Sequence, residues 1–170
     1  SAGGWACAFL AHHSSAPWAD NARFSGRRIK GMLGAYPPYD FRAFLEPEFQ
    51  KLKMVTDALK YIVPVLASPH NTSLGLTLRE TIETRVDPFN IVTYVTSESP
   101  PTLTFHGDSD KIVPHNCSVR MHAQLKELGV PQLLITVPSG GHGEDIGVNS
   151  FPQQMQVFGL ERLLAVVLKV

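Results

Sequence analysis

Three short stretches of the chain could act together in nucleophilic chemistry. They are Ser1-Ala2-Gly3-Gly4, Phe105-His106-Gly107-Asp108-Ser109-Asp110 leading into Ile112-Val113-Pro114, and Ser139-Gly140-Gly141-His142-Gly143. A serine hydroxyl attacks a carbonyl only when a base takes its proton, and a carboxylate must hold that base in the correct tautomer. Ser1, an aspartate from the pair Asp108 and Asp110, and His142 supply these groups in that chain order. The interval from Asp110 to His142, 142 − 110 = 32 residues, accommodates one loop, one helix and one strand.

The flanking sequence predicts elements that would carry these groups. Ala2 to His13 is helix-like and begins directly after Ser1, as a nucleophile on a turn into a helix requires. Arg28 to Ala35 reads as a strand weakened by two glycines, and Tyr36-Pro37-Pro38-Tyr39-Asp40 forces a loop. Thr102–Phe105, introduced by Pro100-Pro101, is a short β run ending at His106-Gly107. Asn116 is expected to cap a helix running to Leu128 and stopped by Gly129. Leu133–Val137 is an apolar strand of the doubly buried kind. Phe151–Val170 reads as a final amphipathic helix covering the sheet. Strand, helix, strand, helix is the α/β pattern, and it puts Asp110 and His142 just beyond two strands, at the edge where such sheets gather reactive loops.

Residues 41–93 are mainly helical in pattern, with Leu52, Val55, Leu59 and Ile62 at helical spacing and a further helix over Leu74–Val86. About fifty residues exceed an ordinary crossover, so 41–93 is expected to form a helical cap over the site within a single 1–170 domain, the alternative being an ordinary pair of packing helices. The 170 residues, 44% hydrophobic and 18% charged with zero formal net charge, describe a globular chain without a nucleic-acid surface. The longest C-terminal apolar run, Leu163–Leu168, is too short to span a bilayer. Cys7 and Cys117 could pair but read as two small buried hydrophobes. Asn71-Thr72-Ser73 and Asn116-Cys117-Ser118 match the glycosylation sequon and leave the compartment open. His12, His13, His70, His115 and His122 lack metal-ligand spacing, and neither metal nor cofactor is implied. Trp5 is expected in the core, with Trp18, Tyr36 and Tyr39 as possible pocket residues. Glu144 and Asp145 read as solvated loop charges.

The stretch P-P-T-L-T-F-H-G-D-S-D-K-I-V-P through V-P-S-G-G-H-G resembles the C-terminal half of α/β-hydrolase esterases, in the carboxylesterase and hormone-sensitive-lipase-like branch. S-A-G-G is similar to the tail of that family's G-D-S-A-G-G elbow. The resemblance covers both ends of the chain well and 36–93 poorly. It implies Ser1 as nucleophile, Asp110 rather than Asp108 as the orienting acid, His142 as general base and the Ala2 N–H as one oxyanion donor, with His106 structural. It implies about three parallel strands with flanking helices, and a small-molecule ester cleaved through an acyl-enzyme. It also implies that an N-terminal half of the domain, carrying the second oxyanion donor, precedes Ser1. The alternatives are a prolyl-oligopeptidase-type serine peptidase, or a fragment inactive without the missing oxyanion loop.

Overall fold

The computed structural model describes residues 1–12, 29–51, 78–143 and 150–169. Strands β1 (Met32–Ala35), β2 (Thr102–Gly107) and β3 (Gln132–Val137) form a parallel sheet in the order β1-β2-β3. Met32 pairs with Thr102, and Thr102 in turn with Gln132. β1 is shorter than expected because residues 29–31 do not pair. The residues that would face them across the ladder are Pro100 and Pro101, which have no N–H to donate.

The central strand β2 is buried along its whole length. Its side chains alternate between the two faces, as strand geometry demands. Leu103 and Phe105 join Ile135 and Val137 on one face, under Met155 and Leu163 of the C-terminal helix. Burial of each such side chain contributes roughly 1.5–3 kcal/mol. Thr102, Thr104 and His106 point the other way and are satisfied one by one. His12 Nε2 lies 3.3 Å from Thr102 Oγ1, the Tyr39 hydroxyl 2.7 Å from Thr104 Oγ1, and Ser118 Oγ 2.7 Å from His106 Nδ1. These partners sit among the larger apolar cluster of Ala8, Met32, Phe41, Met121 and Leu125.

That second face is covered by α1 (Ala2–His12) and by the helix that links β2 to β3. Pro47–Gln50 forms a single turn, α2, after a 3-10 turn at Phe41–Leu45 capped by the Asp40 side chain. Helix α3 (Leu78–Thr81) continues into a π turn over Ile82–Val86. The linking helix, α4, spans His115–Glu127. It starts one residue before Asn116, with Pro114 at the N-cap, so Asn116 is not the cap; its side chain donates instead to the Glu46 carboxylate at 2.9 and 3.0 Å. Gly129 follows the helix with φ of 70°, the left-handed conformation that helix ends favour.

The last helix, α5 (Phe151–Leu168), crosses the other face at Gly159, its only buried residue. A Cβ at Gly159 would stand 2.5 Å from Ile135 Cδ1 and 3.0 Å from Leu103 Cδ2. Contact therefore runs along Met155, Gly159 and Leu163, four residues apart. Apolar side chains also lie off that stripe: Phe151 is 67% and Leu168 63% exposed. β3 is only half-buried rather than enclosed on both faces, because it is an edge of the described sheet and Leu133 remains exposed.

Both described ends of the 41–93 stretch are built into the core. Phe41, Phe44, Ile82, Val86 and Ile91 are buried in the larger cluster. Asn90 Oδ1 accepts from the Phe41 N–H at 2.8 Å, and the Ile91 N–H donates to Tyr39 O at 2.9 Å. Leu52, Val55, Leu59, Ile62, His13, His70, Trp18, Asn71, Glu144 and Asp145 lie outside the described residues. Cys7 is exposed, against expectation, and Cys117 is buried; both are free thiols. Among the described residues, no helix is long and apolar enough to cross a membrane.

Candidate active site

At the carboxyl end of β2 the chain turns at Gly107 and runs through a tight loop to Pro114. The loop folds around one side chain. Asp110 is buried, and its Oδ1 accepts the N–H groups of Ile112 at 2.7 Å and Val113 at 2.9 Å. Asp110 Oδ2 accepts His142 Nδ1–H at 2.7 Å. The same oxygen stands 3.2 Å from His106 Nε2. Burial alone would raise the Asp110 pKa. The hydrogen bonds from His106, the Val113 N–H, His142 and the Ile112 N–H outweigh it and hold the carboxyl below its usual value. A charged carboxylate therefore faces the His142 imidazole through Nδ1.

The loop that carries His142 is held against the Asp110 loop by backbone. The Asp108 N–H donates to Val137 O at 3.1 Å and the Ser109 N–H to Gly140 O at 3.0 Å. Asp108 Oδ1 accepts the Ser139 N–H at 2.7 Å. This distinguishes the two aspartates. Asp108 fastens the loops together, while Asp110 holds the histidine. Gly107 permits the approach, since a Cβ there would overlap the Gly140 carbonyl and lie 2.9 Å from Gly141 O.

Tyr36, expected as a possible pocket residue, lies at the corresponding end of β1 against His142. Its N–H donates to Phe105 O at 2.8 Å, and its ring centroid lies 4.3 Å from that of His142. Its φ is 42°, and Ser139 beside the histidine loop has φ of 58°. Non-glycine residues in this region cost about 1–3 kcal/mol and concentrate at functional sites. Tyr39, by contrast, is fully buried against Thr104. Trp5 is half-buried and packs against the core, stacked on Phe9 with its indole N–H donating to Phe89 O at 3.1 Å.

Ser1 is exposed and opens α1, and its carbonyl accepts the Trp5 N–H at 2.9 Å. The helix meets the same sheet edge. At Gly4 a Cβ would lie 3.2 Å from Pro37 and 3.5 Å from Ala35 O, the residues on either side of Tyr36. The structure thus joins Asp110 to His142 directly and brings Ser1 and Ala2 to the same end of the sheet. Among the described residues, no hydrogen bond links Ser1 to His142. A cleft of about 370 Å³ opens beside Asp110, lined by Glu46, Glu48 and Phe49 on one side and Asp108 and Lys111 on the other.

His115 belongs to this neighbourhood too. Its ring lies edge-on to His106 at 5.3 Å, and Nε2 is 3.0 Å from Thr136 Oγ1. Burial and then the His106 ring lower its pKa, against the pull of Asp108 and Asp110. His12 and His122 pack in the core away from the site. Among the described residues, no group of three or more His, Cys, Asp or Glu is placed to hold a metal.

A parallel sheet with an aspartate–histidine pair at its carboxyl edge, beside a helix that starts at a serine, has the architecture of a partial α/β-hydrolase. Residues 1–125 match the BD-FAE family model, and the chain belongs to that family, an α/β-hydrolase-type family of esterases. No curated protein sequence matches it. Its fold is similar to that of an acetyl ester-xyloside bifunctional hydrolase from Caldicellulosiruptor lactoaceticus (TM-score 0.61, 18% identity, covering 98% of this chain and 54% of the other). It is also similar to a thermophilic esterase of Thermogutta terrifontis (0.61, 17%, covering 96% and 51%) and to a truncated carbohydrate esterase from gut microbiota (0.57, 20%, covering 96% and 57%). The chain spans about half the length of these solved structures.

Proposed function

We propose that the chain carries the catalytic serine, acid and base of an esterase that works through an acyl-enzyme, and that an N-terminal half of the domain completes it. The observation that carries this reading is the 2.7 Å bond between His142 and the buried carboxylate of Asp110, in a chain of an esterase family. Ser1 Oγ attacks the ester carbonyl while His142 Nε2 takes its proton. Asp110 fixes the Nδ1–H tautomer and stabilises the imidazolium without itself being protonated. His142 then returns the proton to the departing alcohol, and water releases the acyl group by the reverse sequence.

The oxyanion requires preorganised donors. The Ala2 N–H, at the free N-terminal end of α1, supplies one, and the N-terminal half supplies the second. Removal of one such donor costs about 10²–10³ in rate, so the 170-residue chain alone is expected to turn over poorly. Within the 41–93 stretch, Glu46, Glu48 and Phe49 form one wall of the cleft beside Asp110, which supports a cap role for that segment, while Phe41, Phe44, Ile82, Val86 and Ile91 belong to the core. Family membership favours esters over prolyl peptides. The named neighbours favour small acyl esters, including those carried on sugars, as the substrate class.

The test uses the chain joined to its N-terminal half. Ser1→Ala should abolish hydrolysis of a short-chain aryl ester, and a fluorophosphonate probe should label Ser1 but not in His142→Ala. Assay on a proline-containing peptide in parallel separates the peptidase alternative. Undiminished ester hydrolysis by Ser1→Ala overturns the reading.

A further inference from the structure

We propose that His106 is a positioning residue for the Asp110–His142 pair, holding the carboxylate oxygen that His142 uses. The inference rests on the reading of that pair as the enzyme's acid and base. Its geometry is a shared atom. Asp110 Oδ2 lies 2.7 Å from His142 Nδ1 and 3.2 Å from His106 Nε2, while Oδ1 is occupied by two backbone N–H groups.

The proton on His106 can be assigned from its surroundings. Nε2 faces two acceptors, Asp110 Oδ2 and the Val113 carbonyl at 3.1 Å, so Nε2 must carry the hydrogen. Nδ1 is then an acceptor and takes the Ser118 hydroxyl hydrogen at 2.7 Å. Ser118 lies on α4, and His106 on the central strand is fully buried. The carboxylate is therefore anchored to two rigid elements rather than to its own loop alone. The Nε2–H hydrogen-bonds to the Val113 carbonyl and, at 3.2 Å, lies beside the same carboxylate oxygen that His142 uses.

Sharing Oδ2 has an electrostatic consequence as well. The His106 N–H dipole beside Oδ2 offsets part of the charge that stabilises protonated His142. Without it that charge acts on His142 alone, and the imidazolium is favoured. Among the described residues, the other titratable groups around the pair are His115 from α4, Asp108 and Lys111 from the Asp110 loop, Glu46 and Glu48 across the cleft, and Tyr36 against His142 from the end of β1.

The experiment is a histidine NMR titration of the chain joined to its N-terminal half. His106→Leu removes the donor at similar volume, and His106→Gln places an amide N–H near the position of Nε2. The His142 pKa should rise by about half a unit or more in His106→Leu and return toward the wild-type value in His106→Gln. If His106→Leu does not fold, Ser118→Ala, which frees the imidazole to turn, should move His142 in the same direction. An unchanged His142 titration in whichever of these variants folds overturns the proposal. In the completed enzyme, His106→Leu should lower kcat several-fold at unchanged KM, and His106→Gln should restore it. The titration does not depend on turnover. A Ser1→Ala enzyme that still hydrolyses esters would refute the esterase reading and leave the role of His106 to be judged by NMR.

Discussion

Replacing Gly107 by alanine tests the arrangement that brings the two reactive loops together. The new Cβ overlaps the Gly140 carbonyl, which must retreat by about 1 Å to reach ordinary contact. A shift of that size lengthens the 3.0 Å Ser109–Gly140 bond beyond hydrogen-bonding range and strains the 2.7 Å bond from Ser139 to Asp108. The first bond contributes about 1 kcal/mol and the second, to a charged acceptor, about 1.5–3 kcal/mol, discounted because it is exposed. Gly107→Ala should therefore destabilise the chain by about 2–3 kcal/mol, which lowers Tm by roughly 4–12 °C for a chain of this length. In the completed esterase, displacement of His142 by about 1 Å should cost about 10² in kcat/KM. Circular dichroism melting reports the first effect and hydrolysis of an aryl ester the second. A Gly107→Ala chain that melts with the wild type would refute the close approach of the two loops, and normal turnover would refute its catalytic importance.

Two further outcomes follow from the core. Burial lowers the pKa of His12 to about 4, helped by His122, and that of His122 to about 4 despite its bond to Gln132. The unfolded chain therefore binds more protons between about pH 6.5 and 4, and stability should fall with pH through that window, by up to about 2 kcal/mol per histidine from pH 6.5 to 5. His12→Phe should flatten the decline in a pH series of urea melts, and a stability constant from pH 7 to 5 would contradict the burial of these rings. A thiol reagent should modify Cys7 alone in the native chain and Cys117 only after denaturation, since burial pushes the Cys117 thiol well up and its Sγ–H donates to Asp40 O at 3.2 Å. Two equivalents of rapid native labelling would refute this.

Asp110 and His142, which the structure joins, were legible in the sequence because each follows a strand. They come just after β2 and β3, where strand ends and Gly-rich turns mark loops whatever the rest of the chain does. Features that depend on distant partners were not legible. Tyr36 reaches His142 across most of the chain through a left-handed backbone that no local pattern announces. Asn116 has the chemistry of a helix cap, but Glu46 claims its side chain and Pro114 has already begun the turn. β1 loses its first residues to two prolines on its neighbour. His106 was read as structural, and its position on Asp110 Oδ2 emerges only when the loop is folded back on the strand.

The polar row on β2 also constrains how the sheet assembles. Thr102, Thr104 and His106 each meet a partner from a different segment, namely α1, the loop after β1, and α4. A slip of one residue would turn all three toward Met155 and Leu163 and drive Leu103 and Phe105 against His12, Tyr39 and Ser118. Both faces would be wrong at once. The row thus serves as a key for strand alignment, rejecting misregistered sheets that an all-apolar central strand would tolerate, and the last tooth of that key is the histidine beside Asp110.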